Sequence, residues 1–464
     1  MAEATPQTEQ PELKRAIGPK LLLFFVVGDI LGTGIYALVG SVAKNIGGAL
    51  WLPFVLAFVV AFLTAFSYIE LVGKYPKAAG AALYTNRAFK IQFLTFMVAF
   101  AVMCSGLTSA SSAALTFGNT YLRQLLVEFF DITASKEALV WTLLAVAFVI
   151  GLALVNFRGV SESVKANVVL TCIELSGLLL VIAIGVYAIV VGDGDPSRLT
   201  QVEDPGGKGL VIAISSATAL AFFAMVGFED SVNMAEECHN PVKIFPRAIL
   251  MGMGIAALIY VLVTTTASLL IPADELAKAE TNALLKVVSV GAPGFPLWVF
   301  ALIGLLAVIN SALINMLMAS RLLYGMANER IIPKFFNTVH PGRRTPWISI
   351  VFTTGLAVIL VSTGTVAKLG GTTSLLLLIV FMIVNVALLV LRKEKMDHRH
   401  FHAPTWAPVL GAICCAYLVL PWTSGRPWSD YTTAGWLLLA GLVLWGINRV
   451  ANGKAEIHPE NLPA

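Results

Sequence analysis

The sequence predicts an all-α integral membrane protein. Three observations carry that prediction: composition, the length of the apolar runs, and the sidedness of the charges. Of 464 residues, 58% are hydrophobic and only 12% charged, and the mean hydropathy is +0.83. Soluble domains carry about 25% charged residues, so most of this surface must face lipid. In lipid, backbone groups pair only within helices or closed barrels. The apolar runs are unbroken and about twenty residues long, which crosses about 30 Å of hydrocarbon as a helix. Barrel strands would show shorter, alternating segments.

Twelve such runs centre near residues 32, 60, 103, 148, 180, 223, 260, 308, 355, 381, 412 and 440, predicting twelve transmembrane helices. Lys and Arg test the count. The N-terminus, the connections near 74–90, 158–165, 243–247, 321–344 and 392–399, and the C-terminus hold 22 of the 31 basic residues. Basic residues favour the cytoplasmic side, so both termini are expected there, which requires an even number of crossings. The organisation expected is a cytoplasmic tail over 1–20, one transmembrane domain over 21–450 and a second tail over 451–464. Residues 1–13 are polar and lack the apolar core of a signal peptide. Residues 192–209, rich in Gly, Pro and Asp, read as a loop, and 272–296 read as a short surface helix lying across the outside as a lid.

Segment 1 carries Gly28-Asp29-Ile30-Leu31-Gly32-Thr33-Gly34-Ile35-Tyr36 near its middle. Each interior glycine costs a helix about 1 kcal/mol, so this cluster favours an unwound stretch. The N–H groups and helix dipole freed there suit a carboxylate. The same glycines also suit a close-packed helix face, and the motif alone leaves both readings open. Segment 6, Ser215 to Asp230, tips the balance with Gly227 near its middle and Glu229 and Asp230 just beyond. Paired interruptions point to a transporter's site between inverted repeats. The two segments lie five helices apart. That predicts a five-plus-five inverted repeat, helices 1–5 over 21–192 and 6–10 over 209–391, with helices 11–12 over 405–450 as additions.

The chain resembles the amino acid–polyamine–organocation (APC) permeases, and among them the bacterial amino acid permeases. The motifs are Gly32-Thr33-Gly34-Ile35, Tyr68-Ile69-Glu70-Leu71 with Tyr75-Pro76, Phe222 through Glu229, Ala235-Glu236-Glu237, Asn240-Pro241 and Pro246-Arg247-Ala248. Ser320-Arg321 with Tyr324, Pro333 and Thr345-Pro346 follow in family order across residues 15 to 350. Each is weak alone; their ordered combination is specific. The resemblance implies a LeuT-like fold with broken helices 1 and 6. It implies secondary transport of amino acids across the plasma membrane, a bacterial inner membrane by the look of the motifs.

Carried over by resemblance, the substrate carboxylate would meet N–H groups around Gly32, Thr33 and Gly34. The ammonium would meet carbonyls at Ile30, Phe223, Ala224 and Val226. Phe223 would cover the site. The stretch Met103 to Leu107 would form a wall, although core packing is the stronger reading there. In proton-coupled relatives a lysine of segment 5 stands where sodium would bind; here the matching residue is Glu174. An isolated intramembrane carboxylate is a functional candidate by default, so Glu174 is expected to carry a proton or gate, with a structural hydrogen bond as the alternative. The coupling ion implied is H+, with Na+ or exchange left open. Asp29, Glu229 and Asp230 could bind a basic side chain, close a gate or pair with Arg and Lys. Gating and pairing are favoured for Glu229, Asp230, Glu236 and Glu237.

The remaining ionisable groups read more plainly. Glu70 begins a loop and reads as a helix-end or loop contact. His398-Arg399-His400-Phe401-His402 reads as a solvated basic segment, not a metal site. Cysteines 104, 172, 238, 414 and 415 lack ligand or disulfide-framework spacing. No zinc-protease helix, nucleophile elbow or phosphate loop occurs, so neither an enzyme nor an organic cofactor is expected. The expected partners are a small amino acid and the bilayer, not nucleic acid. Transport of polyamines or other amines, and a non-transporting sensor, are the alternatives.

Overall fold

The computed structural model describes residues 17–452 apart from 78–79, 131–137, 160–163, 329, 395 and 397. Most of both expected tails therefore lies outside the described residues. Among the described residues ten helices are long and apolar enough to cross a membrane, and two shorter apolar helices, Trp347–Thr363 and Trp406–Val419, accompany them. Each of the twelve predicted centres falls inside one of these. Among the described residues there is no β-strand, only isolated bridges.

The first span is two helices, α1 (Pro19–Ile30) and α2 (Thr33–Ile46). Next come α3 (Trp51–Lys74), the short α4 (Gly80–Phe89), and α5 (Gln92–Thr116), which runs through a π-helical turn into α6 (Arg123–Phe130). The first half ends with α7 (Ala138–Phe157) and α8 (Val164–Val191). The second opens with α9 (Leu210–Ala221), which breaks into 3-10 turns over Phe222–Met225 and Asp230–Glu237, followed by α10 (Pro241–Leu270). Two short helices, α11 (Ala273–Ala279) and α12 (Ala283–Gly291), precede α13 (Leu297–Asn328), α14 (Trp347–Thr363) and α15 (Val366–Leu391). The chain finishes with α16 (Trp406–Val419), a single turn α17 (Pro421–Ser424) and α18 (Trp428–Asn452).

Burial ranks the spans. The most apolar stretch of Pro19–Ile46 is 83% buried, against 28% for both Leu139–Phe157 and Trp428–Val450. The broken first span is thus the axis of the bundle, and those two lie at its rim. Small polar side chains tie the inner helices together: Thr108 to Thr373 at 2.6 Å, Asn310 to Asn167 at 3.1 Å, Asn156 to Ser320 at 3.0 Å and Ser67 to Asn385 at 2.6 Å. Such bonds average about 0.6 kcal/mol in a bilayer, so they fix register more than they supply stability.

Three expectations are corrected. Residues 272–296 form not one surface helix but two, because Glu280 takes a positive φ of 47° between them. Each buries one face, at Leu276, Leu284, Val287 and Val288, and leaves the other exposed, at Asp274, Glu275, Lys278 and Ser289. A Cβ on Gly40 of α2 would meet the carbonyl oxygens of Glu280 and Leu276 at 2.4 and 2.5 Å. Glu70 does not begin a loop. It lies inside α3, fully buried, with its carboxylate on the Arg392 guanidinium at 2.8 and 3.1 Å. The histidine segment is not freely solvated either. His398 Nε2 lies 2.8 Å from the Gly73 carbonyl, and Phe401 stacks on Phe66. The lid region is apolar enough to bury one face, and α3 offers the 398–402 segment an acidic and an aromatic partner that no local pattern reveals. The 192–209 connection holds one 3-10 turn, Pro196–Thr200, capped by the Asp195 carboxylate.

Candidate binding site at the two helix breaks

The first break is short. Val27 accepts the Leu31 N–H, α1 ends at Ile30, and α2 begins at Thr33 behind Gly32, which as N-cap offers no side chain to its orphan N–H groups. The second break is longer. Val226 turns extended (φ −77°, ψ 149°) and Gly227 takes φ 126°, after which the chain continues as 3-10 turns. The Glu229 carboxylate reaches back to accept the Gly227 N–H at 2.9 Å.

The two breaks cross. A Cβ on Gly34 would lie 2.5 Å from the Ala224 Cα, and one on Gly227 would lie 2.8 Å from the Asp29 carbonyl. Only glycine admits that approach at either position, and φ at Gly227 adds a second demand for it. Between them lies a cavity of about 30 Å³ lined by Asp29, Ile30, Gly32, Thr33, Gly34 and Phe223, with Val226, Gly227, Asp230, Ser109, Ser311 and Asn315 completing it. A second cavity of about 20 Å³ shares Ser109, Val226, Asp230 and Asn315 and adds Glu229 and Thr373. Each holds about one water molecule, so an organic ligand enters only as the breaks move apart.

Six of the seven predicted binding residues line the first cavity; Ala224 lies behind it, against Gly34. Two expected ammonium acceptors are already engaged: the Tyr260 hydroxyl donates to the Ile30 carbonyl, and the Val226 N–H to that of Phe223 at 3.4 Å. Asp29, Glu229 and Asp230 all face one or both cavities. Among the described residues no Lys or Arg stands within ion-pair distance of Glu229 or Asp230, so the expected basic pairing is not made there. In the Met103 to Leu107 wall, only Ser105 and Gly106 line a cavity, while Met103, Cys104 and Leu107 are core.

Glu174 lines neither cavity and packs beside α2. Its side chain is fully buried, and among the described residues neither carboxylate oxygen has a hydrogen-bond partner. The Tyr36 hydroxyl donates to the Glu174 main-chain carbonyl at 2.6 Å, and the Tyr121 hydroxyl to that of Tyr36 at 2.9 Å. Tyr36, Tyr121 and Tyr260 all lie within electrostatic reach of its carboxyl. Sequence reasoning missed this tyrosine shell, as it missed Ser109, Ser311, Asn315 and Thr373. The signal available was the polar group Asn310, Ser311 and Asn315 inside a mostly apolar run, with Ser311 and Asn315 at i, i+4.

Access differs at the two ends. A vestibule of about 710 Å³ opens at the end where α2 finishes and α15 starts. It carries Lys44, Arg123, Lys208, Lys368 and Arg426 against Glu280 and Asp430. Leu220 faces it, and Phe223, one turn on, faces the central cavity. At the opposite end the chain before α1 is pinned to the end of the second break. Ile17 donates to Glu237 and accepts from His239, both at 3.0 Å.

Comparison with known proteins places the chain in context. The family model described as "Amino acid permease" matches residues 17–446. The chain is similar to the "Branched-chain amino acid permease BcaP" of Bacillus subtilis, 25% identical over 94% of this chain and 91% of that one. It is 26% identical to the "Methylthioribose transporter" of the same organism, over 96% and 95%. It is 29% identical to "Cationic amino acid transporter 3, mitochondrial" of Arabidopsis thaliana, over 82% and 63%.

Proposed function

Because the chain belongs to the amino acid permease family, we propose that it carries an amino acid across a membrane by alternating access around the crossed breaks of its first and sixth spans. The observation that carries this reading is the cavity at the crossing. The uncapped N-terminus of α2 faces it with N–H groups suited to a carboxylate, while Asp29 and Asp230 face it with charge suited to an ammonium. A zwitterion satisfies both sets; a simple ion satisfies only one, and a sugar carries no charge for either. Twelve crossings in a five-plus-five inverted repeat, with both termini cytoplasmic in a plasma membrane, is the topology that fits the helix order and the charge asymmetry. The large vestibule would then open outward and the Ile17 pairing would close the inward path.

Coupling is assigned to Glu174. A buried carboxyl without a hydrogen-bonded partner is costly to ionise in a membrane interior, and its main chain is bonded to Tyr36 on α2, the helix that would move. Proton loading there would bias the break between two arrangements, which makes H+ the coupling ion of choice over Na+. Three cavity-facing carboxylates also support a second reading, transport of an amine without a carboxylate.

The test is ligand-induced stabilisation of the purified protein by the twenty amino acids and by their decarboxylated and N-acetylated analogues. A ligand bound only by the native state raises stability by RT ln(1 + [L]/Kd). Stabilisation by amino acids but by neither analogue set supports the zwitterion site. Stabilisation by amines alone overturns the carboxylate role of Gly32 to Gly34. Uptake into liposomes then separates a transporter from a sensor.

A further inference from the structure

At the end of the bundle opposite the vestibule, a second cavity of about 660 Å³ lies between the end of α3 and the segment after α15. No step of transport as described above uses it. Glu70, His400 and His402 each direct one donor atom into it, and the three donors lie within 4.8 Å of one another. We propose that these three side chains form a binding site for a first-row divalent cation of the zinc type.

The chemistry of the donors supports this. His400 Nδ1 lies 3.2 Å from the His398 carbonyl oxygen, which can only accept, so Nδ1 carries the proton and Nε2 presents its lone pair. That Nε2 is buried and, among the described residues, has no hydrogen-bond partner. An orphaned imidazole lone pair is the feature a metal would explain. His402 Nδ1 stands 3.6 Å from Glu70 Oε1, too far for a hydrogen bond. The rings of His400 and His402 lie with centroids 4.4 Å apart. Glu70 is held rigidly: its Oε2 accepts the Arg392 Nη2 and the Ala403 N–H, each at 2.8 Å, which leaves Oε1 to face the histidines with only Arg392 Nε upon it, at 3.1 Å.

Two imidazoles and a carboxylate suit zinc and its neighbours, and not magnesium or calcium, which take oxygen donors. A tetrahedral zinc with bonds of about 2.0–2.1 Å sets its donors about 3.4 Å apart. The Glu70–His402 pair at 3.6 Å is already near that spacing, so the remaining approach, up to about 1.4 Å, falls to the pairs made by His400. Water from the open cavity would complete the shell. Arg392 opposes the cation electrostatically. It also donates to Thr405 and to the Ala403 carbonyl, so it keeps partners when Glu70 Oε1 turns to the metal. The bound ion would clip the chain after α15 to α3.

The experiment is titration of the full-length protein, carrying a histidine-free purification tag, with ZnCl₂ by calorimetry, and with CoCl₂ followed by visible absorption. One saturable zinc per chain is expected, with no matching site for Mg²⁺. His400→Ala and His402→Ala should each weaken it at least tenfold, while His340→Ala leaves it unchanged. Zinc should raise the melting temperature of the unaltered protein and not that of the His400→Ala/His402→Ala double variant, which also reports that the variant folds. Absence of saturable binding, or equal binding by the double variant, overturns the site. Neither result bears on substrate binding at the helix breaks.

Discussion

Gly34 meets the backbone of Ala224 so closely that a methyl group on Gly34 would stand 2.5 Å from the Ala224 Cα. Two helix interruptions, far apart in sequence, are held in contact by a residue with no side chain. Gly34→Ala should therefore force the breaks apart. The expected result is at least a tenfold loss of uptake and loss of ligand-induced stabilisation, measured in liposomes and by melting. Gly254→Ala is the control: nothing lies within 4 Å of its added methyl group, and its helix should gain up to about 1 kcal/mol.

The burial of the Glu174 carboxyl makes a pH prediction. If proton binding there drives transport, Glu174→Gln keeps the shape and removes the titration. Uptake by that variant should no longer change with pH, whereas the unaltered protein should be stimulated by an inward proton gradient. Retained pH dependence in the Gln variant would end the coupling assignment. Tyr36→Phe, which removes the 2.6 Å bond to the Glu174 main chain, should lower the rate without abolishing the pH response.

Ile17 and Cys238 pair as neighbours in a parallel bridge, which places their Cα atoms about 4.8 Å apart, within disulfide reach. Ile17→Cys should cross-link to Cys238 under oxidant and stop uptake, and reductant should restore it. Burial pushes the Cys238 thiol up to about 12. Because the thiolate is the reacting form, its share below that value rises about tenfold per pH unit, and cross-linking should quicken as pH rises from 7 to 9. Uptake that persists in the fully cross-linked protein would show that this end need not open.

Arg426 joins four elements. Its guanidinium donates to carbonyls of Leu418, Gly371 and Ala219 and to the Ser374 hydroxyl, beside Asp430 at 3.7 Å. Removing one partner of a buried ion pair costs about 3–5 kcal/mol, so Arg426→Met should lower the melting temperature by several degrees. Lys278→Ala, which breaks an exposed pair with Asp274, should leave the melting temperature unchanged, because solvent screens that pair.

The vestibule's excess of cations should steer a carboxylate inward. Lys44→Glu with Lys368→Glu should raise the KM for uptake most at low ionic strength. The difference from the unaltered protein should shrink above about 0.15 M salt, where charges are screened beyond about 8 Å.

The class, the apolar runs and the places where helices fail are legible in the residues alone. Composition dictates the solvent, run length dictates the helices, and glycines such as Gly32, Gly34 and Gly227 dictate the breaks, because each effect acts over a few neighbouring residues. Tertiary structure decided what those places meet. That Gly34 faces Ala224, that Tyr260 caps the Ile30 carbonyl, that Tyr36 bonds to the Glu174 main chain, and that Glu70 lies inside α3 against Arg392 are contacts across more than a hundred residues of chain. Helical periodicity names the face a residue occupies, but not the helix packed against it. For the same reason the histidine segment reads as a solvated loop until the fold docks it on α3, where Glu70 waits fully buried.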